Sequence, residues 1–461
     1  MSCTRRELLG MLGAAGTAGI LNALPAGASA APRERIVTWR NWSGGQSCIP
    51  AARTAPATEE ELATLLRDSS GGIRPVGSAH SFSALVPTDG TLISLGRLSG
   101  LISHDPVRLQ AELWAGTPMS QIGEPLKRIG QALPNMADID YQTLAGATAT
   151  STHGTGPKYG SYSSQIVGLR LITANGDVLD CDAQHHPEVF SAARVSLGAL
   201  GVITRIRLQN RRAFRLRAHT WIQNTDELLE ELPQLVREND HFELNPILHS
   251  DVSVAVALNE TTEARTTPKE GGGDGDKVEI LRRIHVYARE SPRLQATLLN
   301  FAARHLMNFQ DAVDDSFRIF PNVRDVRFNE MEYEIPADAG PQCLREILAK
   351  VRTQNLDSYF PLEYRYVRAD DIPLSMFQGR DTCAISIHQH YPMDYHAYFA
   401  EIEPIFWKYD GRPHWGKLHT LNARLLRPLY PKWQDFQTVR EALDPQGKFL
   451  NAHLRSLFGA T

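Results

Sequence analysis

The chain has 461 residues, more than a single hydrophobic core usually spans, so two domains are expected. Its 48 basic and 52 acidic side chains leave a formal net charge of −4, which gives no sign of the basic face that a nucleic-acid binder carries. Beyond residue 30 no apolar run approaches the roughly 20 residues of a membrane span, so the mature chain is expected to have none.

In chain order, the first feature is Thr4-Arg5-Arg6-Glu7-Leu8-Leu9. A mildly apolar stretch from Met11 to Leu24 and the small residues Ala28-Ser29-Ala30 follow it. This order resembles a twin-arginine signal peptide over residues 1–30, and export to the periplasm or the exterior is expected. That route carries folded proteins, which suits a chain that acquires a cofactor before leaving.

Glu59 to Arg67 reads as an amphipathic helix opened by Thr58 as its N-cap, and Ile73 to Val76 as a short strand. Leu109 to Trp114 alternates as a strand, and Met119 to Ile129 has helical spacing up to Gly130. Leu169 to Cys181 reads as a hairpin turned at Asn175-Gly176, and Gly201 to Leu208 as another strand. The composition shifts near Arg211-Arg212; beyond it Thr225 to Arg237 and Gln342 to Val351 read as helices. The Gly-rich, charged stretch Asn259 to Lys277 reads as a flexible surface loop, since no GK[ST] follows its glycines. The cysteines are far apart with no CxxC pair, so isolated thiols are expected, and no metal site.

Three Gly-rich segments share the first half. They are Arg74-Pro75-Val76-Gly77-Ser78-Ala79-His80-Ser81-Phe82, then Leu144 to Gly156, then Ser196 to Thr204. Glycines let backbone approach a ligand closely, and successive N–H groups in such turns can cradle a pyrophosphate. None is a GxGxxG after a first strand, so a Rossmann domain is not the reading. In the second half stand Pro361-Leu362-Glu363-Tyr364-Arg365-Tyr366-Val367, His414-Trp415-Gly416-Lys417 and Asp444 to Asn451.

Together, in this order, these segments resemble the aldonolactone oxidoreductase and alditol oxidase branch of the vanillyl-alcohol oxidase flavoprotein superfamily. The resemblance spans nearly the whole mature chain. It implies an α+β fold with a PCMH-type FAD-binding domain over 31–212 and a mixed α/β substrate domain with an antiparallel sheet over 213–430. Residues 431–461 would return to the FAD domain. It also implies FAD contacts from Pro75, Val76, Gly77, Ser78, Ala79, His80 and Ser81, from Thr143, Gly146, Thr150, Ser151, Thr152 and His153, and from Val202 or Ile203. His80 would be bonded covalently to the flavin, and His153 reads equally well as a structural histidine.

On an extended strand Glu363 and Arg365 point to one face, and side by side they can accept from and donate to the hydroxyls of a sugar. By the same resemblance these two and Lys417 are the catalytic group, with Asp138 and His388 as further substrate contacts. Lys417 would stabilise developing negative charge. Asp138 departs from the small residue and Ser that alditol oxidases carry there. Ala137 stands where relatives that react well with oxygen tend to have Gly, and so reads as an oxygen gate.

The expected activity is oxidation of a CH–OH group of a sugar lactone, sugar or polyol by hydride transfer to FAD, with dehydrogenase favoured over oxidase. The electron acceptor is left among oxygen, a quinone and a cytochrome, and the chain is expected to be a monomer. The alternatives are a peroxide-producing alditol oxidase and, remotely, an inactive carbohydrate- or flavin-binding module.

Overall fold

Thr58 opens the first helix, Glu59–Asp68, by accepting a hydrogen bond from the Glu61 amide. Glu59, Glu60 and Glu61 in the first turn complement the helix dipole. The architecture is that of a computed structural model that describes residues 37–266, 274–307, 309, 311–391 and 393–460. The expected signal peptide and the glycines 271–273 lie outside the described residues.

Two sheets build the N-terminal half. Ala52–Thr54, Thr91–Ser94 and Ile73–Val76 form a three-stranded parallel sheet with Thr91–Ser94 in the middle. A five-stranded antiparallel sheet runs in the order Val178–Cys181, Ile166–Ile172, Val202–Gln209, Gln110–Trp114, Leu101–Asp105. Its first hairpin turns at Asn175-Gly176, with Gly176 at φ +82°, where a Cβ would meet the Ala63 carbonyl oxygen at 2.6 Å. Only glycine suits that turn.

The second half is an eight-stranded antiparallel sheet. Its order is Ala312–Asp315, Arg215–Asn224, Val252–Thr261, His241–Pro246, Glu363–Val367, Thr382–His390, Phe328–Pro336, Arg412–Pro413. Helices Thr225–Glu238, Gly340–Thr353 and His396–Lys408 pack against it through residues such as Leu228, Leu344 and Phe399. Strands Phe328–Pro336 and Thr382–His390 are buried almost throughout, so both of their faces are covered. One face is apolar: Tyr333 stacks on Phe406 of the last of those helices at 4.8 Å. Strand alternation puts Glu330, Glu332 and Glu334 on the other.

The stretch read as a loop from Asn259 to Lys277 is shorter than the sequence suggested. Asn259 to Thr261 continue a strand, and a helix opens at Asp274, its buried positions Val278, Leu281, His285 and Ala288 falling on one face. The polar composition concealed both ends.

The C-terminal segment packs back on the N-terminal half. Lys448 donates to the Leu66 and Ala174 carbonyls, and Asn451 to those of Ala84, Leu85 and Pro87. Arg74 donates to the Phe449 carbonyl at 2.5 Å. Among the described residues no helix is long and apolar enough to cross a membrane, and Cys48, Cys181, Cys343 and Cys383 are free thiols.

Candidate active site

A groove in the N-terminal half is lined by Pro75, Val76, Gly77, Ser78, Ala79, His80 and Ser81, by Thr143, Gly146 and Thr150, and by Val202 and Ile203. The Ser196-Leu197-Gly198 turn completes it. Among the described residues, the main-chain N–H groups of Ser78, Ala79, His80 and Ser81 donate to no protein acceptor. Four successive free amides in a groove form a cradle for an anionic oxygen group. A Cβ on Gly77 would lie 2.3 Å from Thr143 Oγ1, so the wall has no room for a side chain there. Buried Arg74 ties the loops together by donating to the Leu197 and Gly198 carbonyls at 2.8 and 2.9 Å.

Ser151 stands apart from this wall. Its side chain is fully buried and its Oγ donates to Ser161 Oγ at 3.0 Å. Thr152 and His153 line a second cavity that adjoins the groove. The two spaces share His80, Ser81, Gln142 and Thr150. His80 is stacked between Trp42 at 5.4 Å and Tyr141 at 5.7 Å. Burial, and secondarily the Lys417 cation, push its imidazole down to about 4, so it is neutral at neutral pH with a nitrogen lone pair to offer.

The second cavity is roofed by the polar face of the large sheet. Register sets Glu363, Ser386 and Glu332 in one row across three strands, pairs Glu330 with His388, and pairs Glu243 with Arg365. Arg365 Nη1 lies 2.8 Å from Glu363 Oε2, and Arg365 Nε donates to Glu243 at 2.7 Å. Asp138 is ion-paired with Arg324, whose Nη2 also reaches Glu363 at 2.9 Å, and lies 3.8 Å from Arg365. Lys417 is ion-paired with Glu330 and lies 3.9 Å from Glu332. Ala137 lines this cavity, and its N–H donates to the Tyr162 hydroxyl. Asp138, Glu363, Arg365, His388, Lys417 and Ala137 are thus brought together.

Charge in this space is set by burial against pairing. Burial works against an ionised Glu363, but Arg365 and Arg324 outweigh it and hold the carboxyl below its ordinary value. Glu330 is likewise buried, yet the Lys417 ammonium brings it down to about 2. Burial would push Lys417 down, but Glu330 and Glu332 keep its ammonium above the usual value. The Glu334 carboxyl oxygens have no hydrogen-bond partner, with His153 Nε2 3.7 Å away; burial, with Glu332 beside it, pushes the group well above its ordinary value.

His388 Nδ1 donates to the Pro361 carbonyl at 2.9 Å, and its Nε2 lies 3.5 Å from Glu330 Oε1. His153 is held between the Gly154 carbonyl at 2.9 Å and Glu332 at 3.0 Å, and is 5% exposed. It joins the two halves mechanically.

Glu330, Glu332, Glu243 and Arg324 were not anticipated as site residues. For Glu330 and Glu332 the signal was Asn329-Glu330-Met331-Glu332-Tyr333-Glu334, acidic residues at every second position of a strand; Glu243 and Arg324 had none. That pattern ordinarily marks a solvated face. Here the face is buried against the cofactor-side loops.

Comparisons with known proteins agree with this geometry. The sequence model of an FAD-binding domain matches residues 50–182, and that of D-arabinono-1,4-lactone oxidase matches residues 206–457. The chain is 37% identical over 427 residues to an L-gulono-1,4-lactone dehydrogenase of Mycobacterium tuberculosis, covering 91% of this chain and 99% of that one. It is 30% identical to bovine L-gulonolactone oxidase (92% and 98% covered) and 27% identical to a Streptomyces alditol oxidase (90% and 98% covered). A solvent-stable cholesterol oxidase shares the fold at a TM-score of 0.77 and 18% identity, over 91% of this chain and 97% of that chain. The groove of unpaired amides and glycine walls fits FAD, which the Pro75–Ser81 loop, Thr143, Gly146, Thr150 and the Val202-Ile203 pair would hold. The chain belongs to the D-arabinono-1,4-lactone oxidase family of FAD-dependent oxidoreductases.

Proposed function

We propose that this protein is a dehydrogenase that oxidises a CH–OH group of a sugar-derived 1,4-lactone. The observation that carries the reading is the set of paired donors and acceptors that the buried sheet face and two adjoining loops bring into one cavity. Glu363 and Asp138 accept from hydroxyls, and Arg365 and Lys417 donate to ring or carbonyl oxygens. The relatives' names, L-gulono-1,4-lactone dehydrogenase and L-gulonolactone oxidase, support that substrate class.

Bound FAD supplies the hydride acceptor. His388 Nε2, freed by the Nδ1 bond to Pro361, takes the proton of the reacting hydroxyl, and Glu330 stabilises the resulting imidazolium. Lys417 holds Glu330 in place and offsets negative charge developing on substrate. Glu363 and Arg365 orient the remaining hydroxyls. His80, neutral and held by Trp42 and Tyr141, would carry the covalent bond to the flavin. The Ala137 methyl restricts oxygen, which supports a dehydrogenase using another acceptor; the signal-like residues 1–30 support work outside the cytoplasm.

The test is an anaerobic screen of the purified yellow protein against aldonolactones, alditols, aldoses and sugar acids, following the flavin absorbance. Bleaching by a 1,4-lactone at lower concentration than by any alditol supports the reading. Bleaching by alditols alone rejects it.

A further inference from the structure

The substrate cavity opens into a larger chamber of about 400 Å³, and the two share Asp138, Arg324, Phe328, Glu363, Arg365 and His388 along their common boundary. Away from that boundary the lining is mostly apolar: Ile247, Val254, Val256, Leu258, Leu281 and Met307 contribute to it, with Thr220, Asn245 and Lys277 among them.

The register explains the change. Glu243 is paired with Arg365 on one side and with Val256 on the other, and Asn245 is paired with Val254. Crossing from strand His241–Pro246 to strand Val252–Thr261, a step of about 4.8 Å, turns one sheet face from hydroxyl-binding to aliphatic. A concave, partly apolar cleft of this size beside the reacting group has the character of a small-molecule binding space.

We propose that the preferred substrate is amphiphilic: a lactone or sugar head held by Glu363, Arg365 and Asp138, with an apolar substituent lying on Val254, Val256 and Leu281. This rests on the lactone-oxidising reading above and names the substrate class for that site.

The test uses the holoenzyme under anaerobic conditions with L-gulono-1,4-lactone and its 6-O-acyl esters from acetyl to octanoyl, below their micellar concentrations. The apparent Kd for flavin bleaching is expected to fall by roughly two- to fourfold per added methylene until the chamber is full. Val256→Trp, which fills the aliphatic floor, is expected to abolish this chain-length gain while leaving the parent lactone within about twofold. Its flavin content and parent-lactone bleaching report whether that variant folds, and the wild-type series stands without it. A flat series with the parent lactone active overturns this inference alone. No bleaching by any member overturns the lactone reading as well. If Val256→Trp slows reoxidation by a soluble quinone and leaves the acyl series unchanged, the chamber serves the acceptor and the inference fails.

Discussion

Arg365 and Glu363, two residues apart on one strand, are ion-paired at 2.8 Å while each is also held by a third group, Arg365 by Glu243 and Glu363 by Arg324. The guanidinium is therefore fixed before substrate arrives. Its planar fork, rather than its charge alone, meets both carboxylates. Arg365→Lys is expected to lower kcat/KM by ~10²-fold and stability by about 3 kcal/mol, because one buried carboxylate is left poorly paired. Steady-state kinetics and thermal unfolding check this; a lysine variant with wild-type kcat/KM would show that the fork is not needed.

His388 and Glu330 are expected to act on the chemical step more than on binding. His388→Asn should lower the anaerobic flavin-reduction rate by roughly 10²–10⁴-fold with a smaller change in apparent Kd. Glu330→Gln should lower the same rate by less, since only the stabilising charge is removed. If either change falls wholly on Kd, the proton-acceptor role passes to another group.

The flavin bond is read directly from colour. After acid precipitation the wild-type pellet should stay yellow, whereas His80→Ala should release its FAD to the supernatant. A colourless wild-type pellet rejects the covalent bond while leaving the groove's role intact.

Ala137→Gly removes the methyl group beside the substrate cavity. Reoxidation of reduced enzyme by air is expected to accelerate on the order of tenfold, a barrier change of ~1.4 kcal/mol. Wild-type enzyme that already makes peroxide rapidly would contradict the dehydrogenase assignment.

Buried histidines set the acid side of stability. Burial pushes His241, His249 and His453 down to about 4, and His414 and His419 to about 3. In the unfolded chain they titrate near 6.5. Above that pH both states are unprotonated and nothing is lost. As pH falls towards 4, the unfolded chain takes up protons that the folded one cannot, costing about 1.4 kcal/mol per pH unit for each histidine. Tm should be level between pH 7 and 8 and fall steeply from 6.5 to 5. A Tm unchanged down to pH 5 would falsify the neutral, buried assignment.

Local rules made part of this molecule legible from residues alone. Thr58 and the glutamates after it define a helix start, and Asn175-Gly176 a hairpin, because both are decided within a few residues. Glu363 and Arg365 were legible as a same-face pair for the same reason. Glu330 and Glu332 were not, because a strand with alternating acids looks solvated until another part of the chain covers it. Ser151 shows the converse: it lies in a loop that reads as cofactor-facing, yet it turns inward at φ +59° to bond Ser161. The large chamber depends on how many distant segments meet, which no window of sequence contains.

The hydrogen bond from Arg74 to the Phe449 carbonyl joins positions 375 residues apart. The groove that takes FAD is thus sealed by one of the longest-range contacts in the fold, and such contacts form late because the intervening chain must order first. Cofactor capture becomes a report on completed folding. A chain arrested before its C-terminal segment docks would hold FAD weakly and remain colourless, so in a refolding experiment the yellow colour should appear in step with the slowest phase.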